Sequence, residues 1–253
     1  MSNIELLCIV FSALLAGTVD AIAGGGGLIT IPSLMIAGLP PQAVLGTNKL
    51  AMSAGTGVAT YKFWRNGKIN WKIVGGGIGF TLIGSALGSR LAVILPAHIV
   101  AKVMIALLPL GLLSVVLKKP HTNQCRELTS HDLWVKVPLI CGLLGMYDGF
   151  FGPGTGTFIV MAFHMLLHRD LVESTANAKM FNLTSNVSAL VVFAIHGSVL
   201  LGVGLPMAAA TMTGNYIGSH LALTRGQTLI RTVLFAVLVM LMATLVIKFL
   251  VIK

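Results

Sequence analysis

Asp20-Ala-Ile-Ala-Gly-Gly-Gly-Gly27 sets an ionisable residue beside four consecutive glycines, with long apolar runs on either side. A looser copy, Asp148-Gly-Phe-Phe-Gly-Pro-Gly-Thr155, follows 128 residues later (148 − 20). That spacing lays Gly24 on Gly152 and Gly26 on Gly154. A charge next to a helix-breaking cluster, met twice in apolar surroundings, marks a site rather than a fold element.

The surroundings decide the fold class. The 253 residues are 56% hydrophobic and only 9% charged, against about 25% charged in a soluble domain. Such a chain lacks the polar surface to sit in water, and its apolar runs are continuous rather than alternating. It therefore reads as an all-α polytopic membrane protein and not as a barrel. A net charge of +10 would suggest nucleic acid in a soluble protein. Here Lys and Arg gather in short loops, where they orient helices in a bilayer. Cys8, Cys125 and Cys141 show no metal spacing. The N-terminal apolar run has no basic start and leads straight into Asp20, so it reads as a membrane helix and not as a cleavable signal.

Apolar length and Gly, Pro and charge punctuation predict about ten helical pieces: 4–23, 27–38, 42–65, 71–94, 97–117, 134–151, 155–167, 171–195, 199–221 and 228–251. The pieces at 27–38 and 155–167 are too short for a hydrocarbon core of ~30 Å at ~1.5 Å per residue. Each follows a glycine motif, so both are expected to be broken or re-entrant half-helices. The one long polar stretch, Lys118 to Lys136, divides the chain into a first repeat (1–117), a connecting loop (118–133) and a second repeat (134–253).

The halves match beyond the glycine motifs, at an offset that becomes 130. Thr47-Asn48-Lys49 falls on Asn177-Ala178-Lys179, Asn66-Gly67 on His196-Gly197, and Gly84/Gly88 on Gly214/Gly218. Four matches at almost one spacing argue for duplication. Each GxxxG pair is read as a close helix–helix contact. Equivalent loops differ in charge: Lys62, Arg65, Lys68 and Lys72 surround the first, and 194–202 holds no Lys or Arg. That favours inverted over parallel repeats. A count over all loops, eleven basic residues against four for inversion and ten against five for a parallel arrangement, separates the two only slightly.

Of seven acidic residues, Asp20 and Asp148 alone fall away from helix ends and loops. A carboxylate at that depth costs at least ~2.5 kcal/mol unless it is protonated, hydrated or paired. Burial favours its neutral form, which suits a proton carrier. The competing expectation is a cap on the broken helix. The glycines point to an anion. A helix that starts at membrane depth presents unpaired N–H groups and the positive end of its dipole, and glycine lets a ligand approach. The expected anion site therefore comprises Gly24, Gly25, Gly26 and Gly27 with Thr30, and Gly152, Gly154, Thr155 and Thr157. Asn48, Lys49, Asn177 and Lys179 are expected to add charge and amide donors. For the lysines, snorkelling to the interface is the alternative.

Weaker signals point elsewhere. His164 and His168 have a metal-compatible spacing but no third ligand. Tyr61, Trp64, Trp71 and Trp134 read as interface residues. No Walker A sequence, dinucleotide fingerprint or hydrolase signature occurs, so no cofactor, no metal and no enzyme activity are expected.

Asp20-Ala-Ile-Ala-Gly-Gly-Gly-Gly-Leu-Ile-Thr-Ile-Pro32, Gly46-Thr-Asn-Lys49 and Asp148-Gly-Phe-Phe-Gly-Pro-Gly-Thr-Gly156 together resemble the sulfite exporter TauE/SafE family of bacterial membrane permeases. The resemblance covers essentially the whole chain. It implies transport of a small sulfur-containing anion, such as sulfite or an organosulfonate, across the inner membrane by a multi-pass protein. The expectation is then a secondary transporter whose partners are that anion and the lipid bilayer, without nucleic acid. Proton coupling is plausible, and homo-oligomerisation stays open. An uncoupled anion channel is the first alternative; an intramembrane enzyme using the two Asp residues, or a purely structural membrane partner, stands behind it.

Overall fold

The computed structural model describes residues 3–100 and 126–251. Most of the expected helix at 97–117, and the seam as far as residue 125, lie outside the described residues. Among the described residues the chain is helical, with no strand. The elements are α1 (Asn3–Ala23), α2 (Gly27–Ile36), α3 (Pro41–Arg65), α4 (Trp71–Ile94), α5 (Val137–Phe150, entered through a π-helical turn at Asp132–Lys136), α6 (Thr155–Leu166), α7 (Leu171–Ile195) and α8 (Leu201–Val251).

Local chemistry accounts for the boundaries. α1 stops because Gly24 takes a left-handed backbone (φ 81) and its N–H donates to the Asp20 carbonyl at 2.7 Å. α3 and α7 end alike. Gly67 (φ 63) and Gly197 (φ 67) turn the chain, and the N–H groups of Lys68 and Ser198 reach back to the carbonyls of Phe63 and Phe193 at 3.1 and 2.9 Å. Pro41 opens α3, where its missing N–H costs nothing. Asp170 opens α7 by accepting from the N–H groups of Val172 and Glu173. The two short pieces are as expected, 10 and 12 residues long. At ~1.5 Å per residue they reach about half the hydrocarbon thickness.

The expected break between the pieces at 199–221 and 228–251 is present: α8 is two helices that meet at a kink, where Gly226 leaves helical geometry (φ 58, ψ −144). Asp132, expected near a helix end, is there but buried. It is held by Arg126 at 2.6 Å, by Lys136 at 2.7 Å and by the Thr129 hydroxyl and N–H.

The bundle is interlaced. α4 packs on α5 with Gly84 against the carbonyl of Gly142 and Gly88 against that of Met146. α8 packs on α1 with Gly214 against Leu14 and Gly218 against Thr18. These contacts are copies of each other at the two offsets already read from the sequence, 128 for α1 onto α5 and 130 for α4 onto α8. Both are the close backbone approaches that a GxxxG pair permits. α1 of the first half thus lies against α8 of the second, and α5 of the second against α4 of the first. At the centre α3 meets its counterpart α7. Their contacts, Thr47 with Leu200, Lys49 with Asn186, Thr60 with Lys179 and Asn70 with Asn177, climb one helix as they descend the other, so the two run antiparallel.

The exterior is apolar, and the interior sets buried polar side chains beside two apolar clusters. Leu7, Phe11, Ile83, Leu87, Leu139, Leu143 and Leu205 are exposed, while Asn, Thr, Ser, Lys and Asp side chains are buried between the helices. That arrangement suits a lipid solvent, where apolar groups need no hiding and polar groups need partners. Among the described residues, four helices, beginning at Ile4, Trp71, Asp132 and Leu171, are long and apolar enough to cross a membrane.

Candidate functional site: two crossed ion pairs between the broken helices

Each lysine of the repeated motif finds its carboxylate in the opposite half. Lys49 Nζ lies 2.9 Å from Asp148 Oδ2, and Lys179 Nζ lies 2.9 Å from Asp20 Oδ2. All four are interior: Lys49 is 1% exposed, Lys179 0%, Asp20 6% and Asp148 4%. Snorkelling is thereby excluded for both lysines. A buried charge of this kind persists because it is paired and hydrogen-bonded.

The supporting bonds differ between the two pairs. Lys49 also donates to Asn186 Oδ1 at 2.9 Å, and Asp148 accepts a short hydrogen bond from the Ser185 hydroxyl. Asp20 accepts instead from the N–H of Gly26 at 3.4 Å. This bond ties Asp20 to the glycine run at the foot of α2. Asp148 has no such backbone partner among the described residues, and is held by side chains.

The two broken helices meet here. Gly24 lies so close to Gly156 that a methyl group on either would enter the other's backbone. The Thr157 hydroxyl donates to the Ala23 carbonyl at 2.8 Å, tying the foot of α6 to the end of α1. Between the glycine motifs and the centres of α3 and α7 lies a cavity of about 20 Å3, room for roughly one water. Asp20, Lys49 and Asp148 line it, with Gly24, Gly27, Gly152 and Gly156 from the breaks, Asn48 and Met52 from α3, and Asn182 and Asn186 from α7.

The expected site residues thus fall into three groups. Gly24, Gly27, Asn48, Lys49, Gly152, Asp20 and Asp148 reach the cavity, and Lys179 stands behind Asp20. Gly25, Gly26, Gly154, Thr30, Thr155 and Thr157 form the frame around it. Their hydroxyls are engaged within the protein: Thr30 on Asn48 Oδ1 at 2.6 Å, Thr155 on the Gly152 carbonyl at 2.8 Å, and Thr157 on Ala23. Asn177 is elsewhere. Its Oδ1 accepts from the Asn70 N–H at 3.0 Å, just before α4. Its equivalent, Thr47, accepts from the Leu200 N–H at 3.0 Å, just before α8. The two bonds occupy opposite ends of the α3/α7 pair, and each acceptor lies two residues before a paired lysine. Beside the Asn70 end a second, polar cavity of about 460 Å3 opens, lined by Lys68, Asn70, Asp170 and Glu173 among others.

Met52, Asn182, Asn186 and Ser185 were not among the expected ligands. A helical spacing would have found three of them. Residues three and seven beyond each lysine share its face, which gives Met52 and Thr56 on α3, and Asn182 and Asn186 on α7. Asn177, two residues before Lys179, is rotated about 200° away from it.

Comparison with known proteins agrees with this architecture. Residues 9–245 match the family described as Sulfite exporter TauE/SafE. A protein of a Sinorhizobium species, named "Probable membrane transporter protein ORF9", is 38% identical over 92% of this chain and 89% of its own. "Probable membrane transporter protein" of Haemophilus influenzae is 38% identical over 90% of both. "Probable membrane transporter protein YfcA" of Escherichia coli K12 is 36% identical over 94% of this chain and 88% of its own. No solved structure matches.

Proposed function

From the premise that this chain belongs to the sulfite exporter TauE/SafE family of membrane transporters, we propose that it is a proton-coupled secondary transporter of a small sulfur oxyanion or organosulfonate in the bacterial inner membrane. The observation that carries this reading is the pair of crossed, buried Lys–Asp bridges around a cavity between two broken helices.

Charge balance supplies the mechanism. Two lysines and two aspartates make a neutral quartet, which can stay buried. An entering anion adds one negative charge, which is costly at that depth. Neutrality returns if the anion takes over Lys49 and the released Asp148 carboxylate binds a proton. Anion and proton then leave together, and the bridge re-forms. The amides at the feet of α2 and α6 add the favourable end of two helix dipoles.

The antiparallel course of α3 and α7 supports inverted-topology repeats, with 1–117 and 134–253 as the two units. In such a pair the two halves rock around a fixed central site. The bonds at Thr47 and Asn177 then sit at the two mouths and part alternately.

The test is flux of labelled sulfite and methanesulfonate into proteoliposomes, with and without an imposed pH gradient. Uptake that follows the gradient, is lost in Lys49→Ala and is uncoupled from protons in Asp148→Asn supports the reading. Flux that follows only the anion's electrochemical gradient would mean a channel. Normal transport by Lys49→Ala, Asp20→Asn and Asp148→Asn together would remove the site assignment.

A further inference from the structure

Five asparagines are buried among the described residues: Asn48, Asn177, Asn182, Asn186 and Asn215. Three of them spend the carboxamide NH2 inside the protein. Asn177 donates to the Glu173 carbonyl at 2.8 Å, Asn186 to the Thr56 hydroxyl at 3.5 Å and Asn215 to the Thr211 carbonyl at 3.0 Å. The other two, Asn48 (3% exposed) and Asn182 (5%), give theirs to no protein acceptor, and both line the cavity between the broken helices. The Thr30 hydroxyl donates to Asn48 Oδ1 at 2.6 Å, which turns the NH2 group away from Thr30. In Asn182 the Oδ1 is sealed, while Nδ2 stays open, 2.5 Å from where a methyl group on cavity-lining Gly156 would stand. Lys49 brings a third donor. An ammonium has three N–H groups, and Asp148 and Asn186 take two of them. Buried donors without acceptors are unfavourable, and few are found in folded proteins. Here three border a space of about 20 Å3.

These donors occur once. At the 130-residue offset the counterparts of Asn48 and Asn182 are Ala178 and Met52, whose side chains donate nothing. The donor set therefore belongs to the Lys49 bridge, and Lys179 stays with Asp20. Asp148, whose Oδ1 lies beside Gly152, is an acceptor on the same space, and it takes up the proton in the mechanism above. We propose that Asn182 is a ligand and specificity-determining residue, whose Nδ2 joins Asn48 Nδ2 and Lys49 Nζ in a three-donor cradle for a pyramidal SO3 headgroup. The headgroup enters as Lys49 and Asp148 separate, and it has one oxygen for each donor. A carboxylate has two oxygens and leaves a buried donor unmet, the mismatch by which a hydrogen-bonding site rejects an analogue. The inference rests on the transport reading above. It adds the residue by which the site tells a sulfite or sulfonate from a carboxylate.

The test is uptake of labelled sulfite into proteoliposomes, with unlabelled methanesulfonate or acetate as competitor. Both competitors are small monoanions, the first with three oxygens and the second with two. In the unmodified protein the inhibition constant of methanesulfonate is expected to lie about tenfold or more below that of acetate. Asn182→Leu removes the donor without shortening the side chain. It is expected to raise the constant of methanesulfonate about tenfold and that of acetate less than about twofold, since acetate keeps a donor for each oxygen. Asn182→Ala is read in the same way if the leucine variant does not fold. Equal changes for the two competitors, as for an amide that serves only cavity water, would overturn the role of Asn182 and leave transport standing. An unmodified protein that binds both competitors equally would do the same. If the unmodified protein moves no sulfite, the transport reading falls and this inference with it.

Discussion

The crossing of the ion pairs can be tested by a double-mutant cycle on Lys49 and Asp148. Replacing one member of a buried pair strands the other charge and costs about 3–5 kcal/mol, whereas replacing both with neutral groups of similar size is often close to neutral. Lys49→Met strands Asp148 with Ser185 alone, and Asp148→Asn leaves Lys49 with Asn186. If the effects added, the double variant would lose about 6–10 kcal/mol. The geometry instead predicts a double variant at least as stable as either single one, and so a coupling energy of about 3 kcal/mol or more. At ~2–4 °C per kcal/mol for a chain of this size, each single variant melts roughly 6–20 °C lower and the double recovers most of that loss. Thermal unfolding of the purified protein in detergent, followed by loss of monodisperse material, reads it directly. Lys49→Met combined with Asp20→Asn, the partner in its own half, is the control and should show no recovery. Additive losses in the first combination, or recovery in the second, would refute the crossed arrangement.

Two further outcomes follow from the site's frame. Gly24→Ala meets Gly156 backbone and also forces a side chain into a left-handed conformation, so a loss of about 2–5 kcal/mol is expected. Gly38→Ala, with similar φ (78) but nothing within 4 Å of the new methyl, should lose only about 1–2 kcal/mol; melting curves of the two side by side separate contact from backbone strain. Asn177→Ala should leave the half-saturating anion concentration within about twofold while changing the maximal rate. Asn48→Ala, on the cavity, should raise that concentration about tenfold, or ~1.4 kcal/mol; initial-rate flux measurements distinguish the two.

What could be read from the sequence was local or repeated. Gly67 and Gly197 stop their helices through bonds that span five residues, so punctuation alone places those ends. Asp20, Asp148, Lys49 and Lys179 drew notice because each occurs twice. The partner of each was not legible, since a lysine at membrane depth could equally have met the carboxylate of its own half. That choice depends on how α3 and α7 cross, which no short window of sequence encodes. Asn177 was misplaced because adjacency to Lys179 in the chain stood in for adjacency on the helix. Asp132 was underrated for a related reason: Arg126, Thr129 and Lys136 close around it only once the turn before α5 takes its π-helical form.

The crossed bridges also constrain how the protein is made. Lys179 is synthesised 159 residues after the aspartate it neutralises, a delay of roughly 8–30 s at ~5–20 residues per second. Throughout that interval the newborn segment holds a carboxylate whose counterpart does not yet exist, and between the synthesis of Lys49 and that of Asp148 it holds an ammonium in the same position. Each portion of the gene, expressed by itself, would encode one carboxylate and one ammonium without the partners they meet in the folded protein. Two fragments divided at the seam should accumulate only when produced in the same cell.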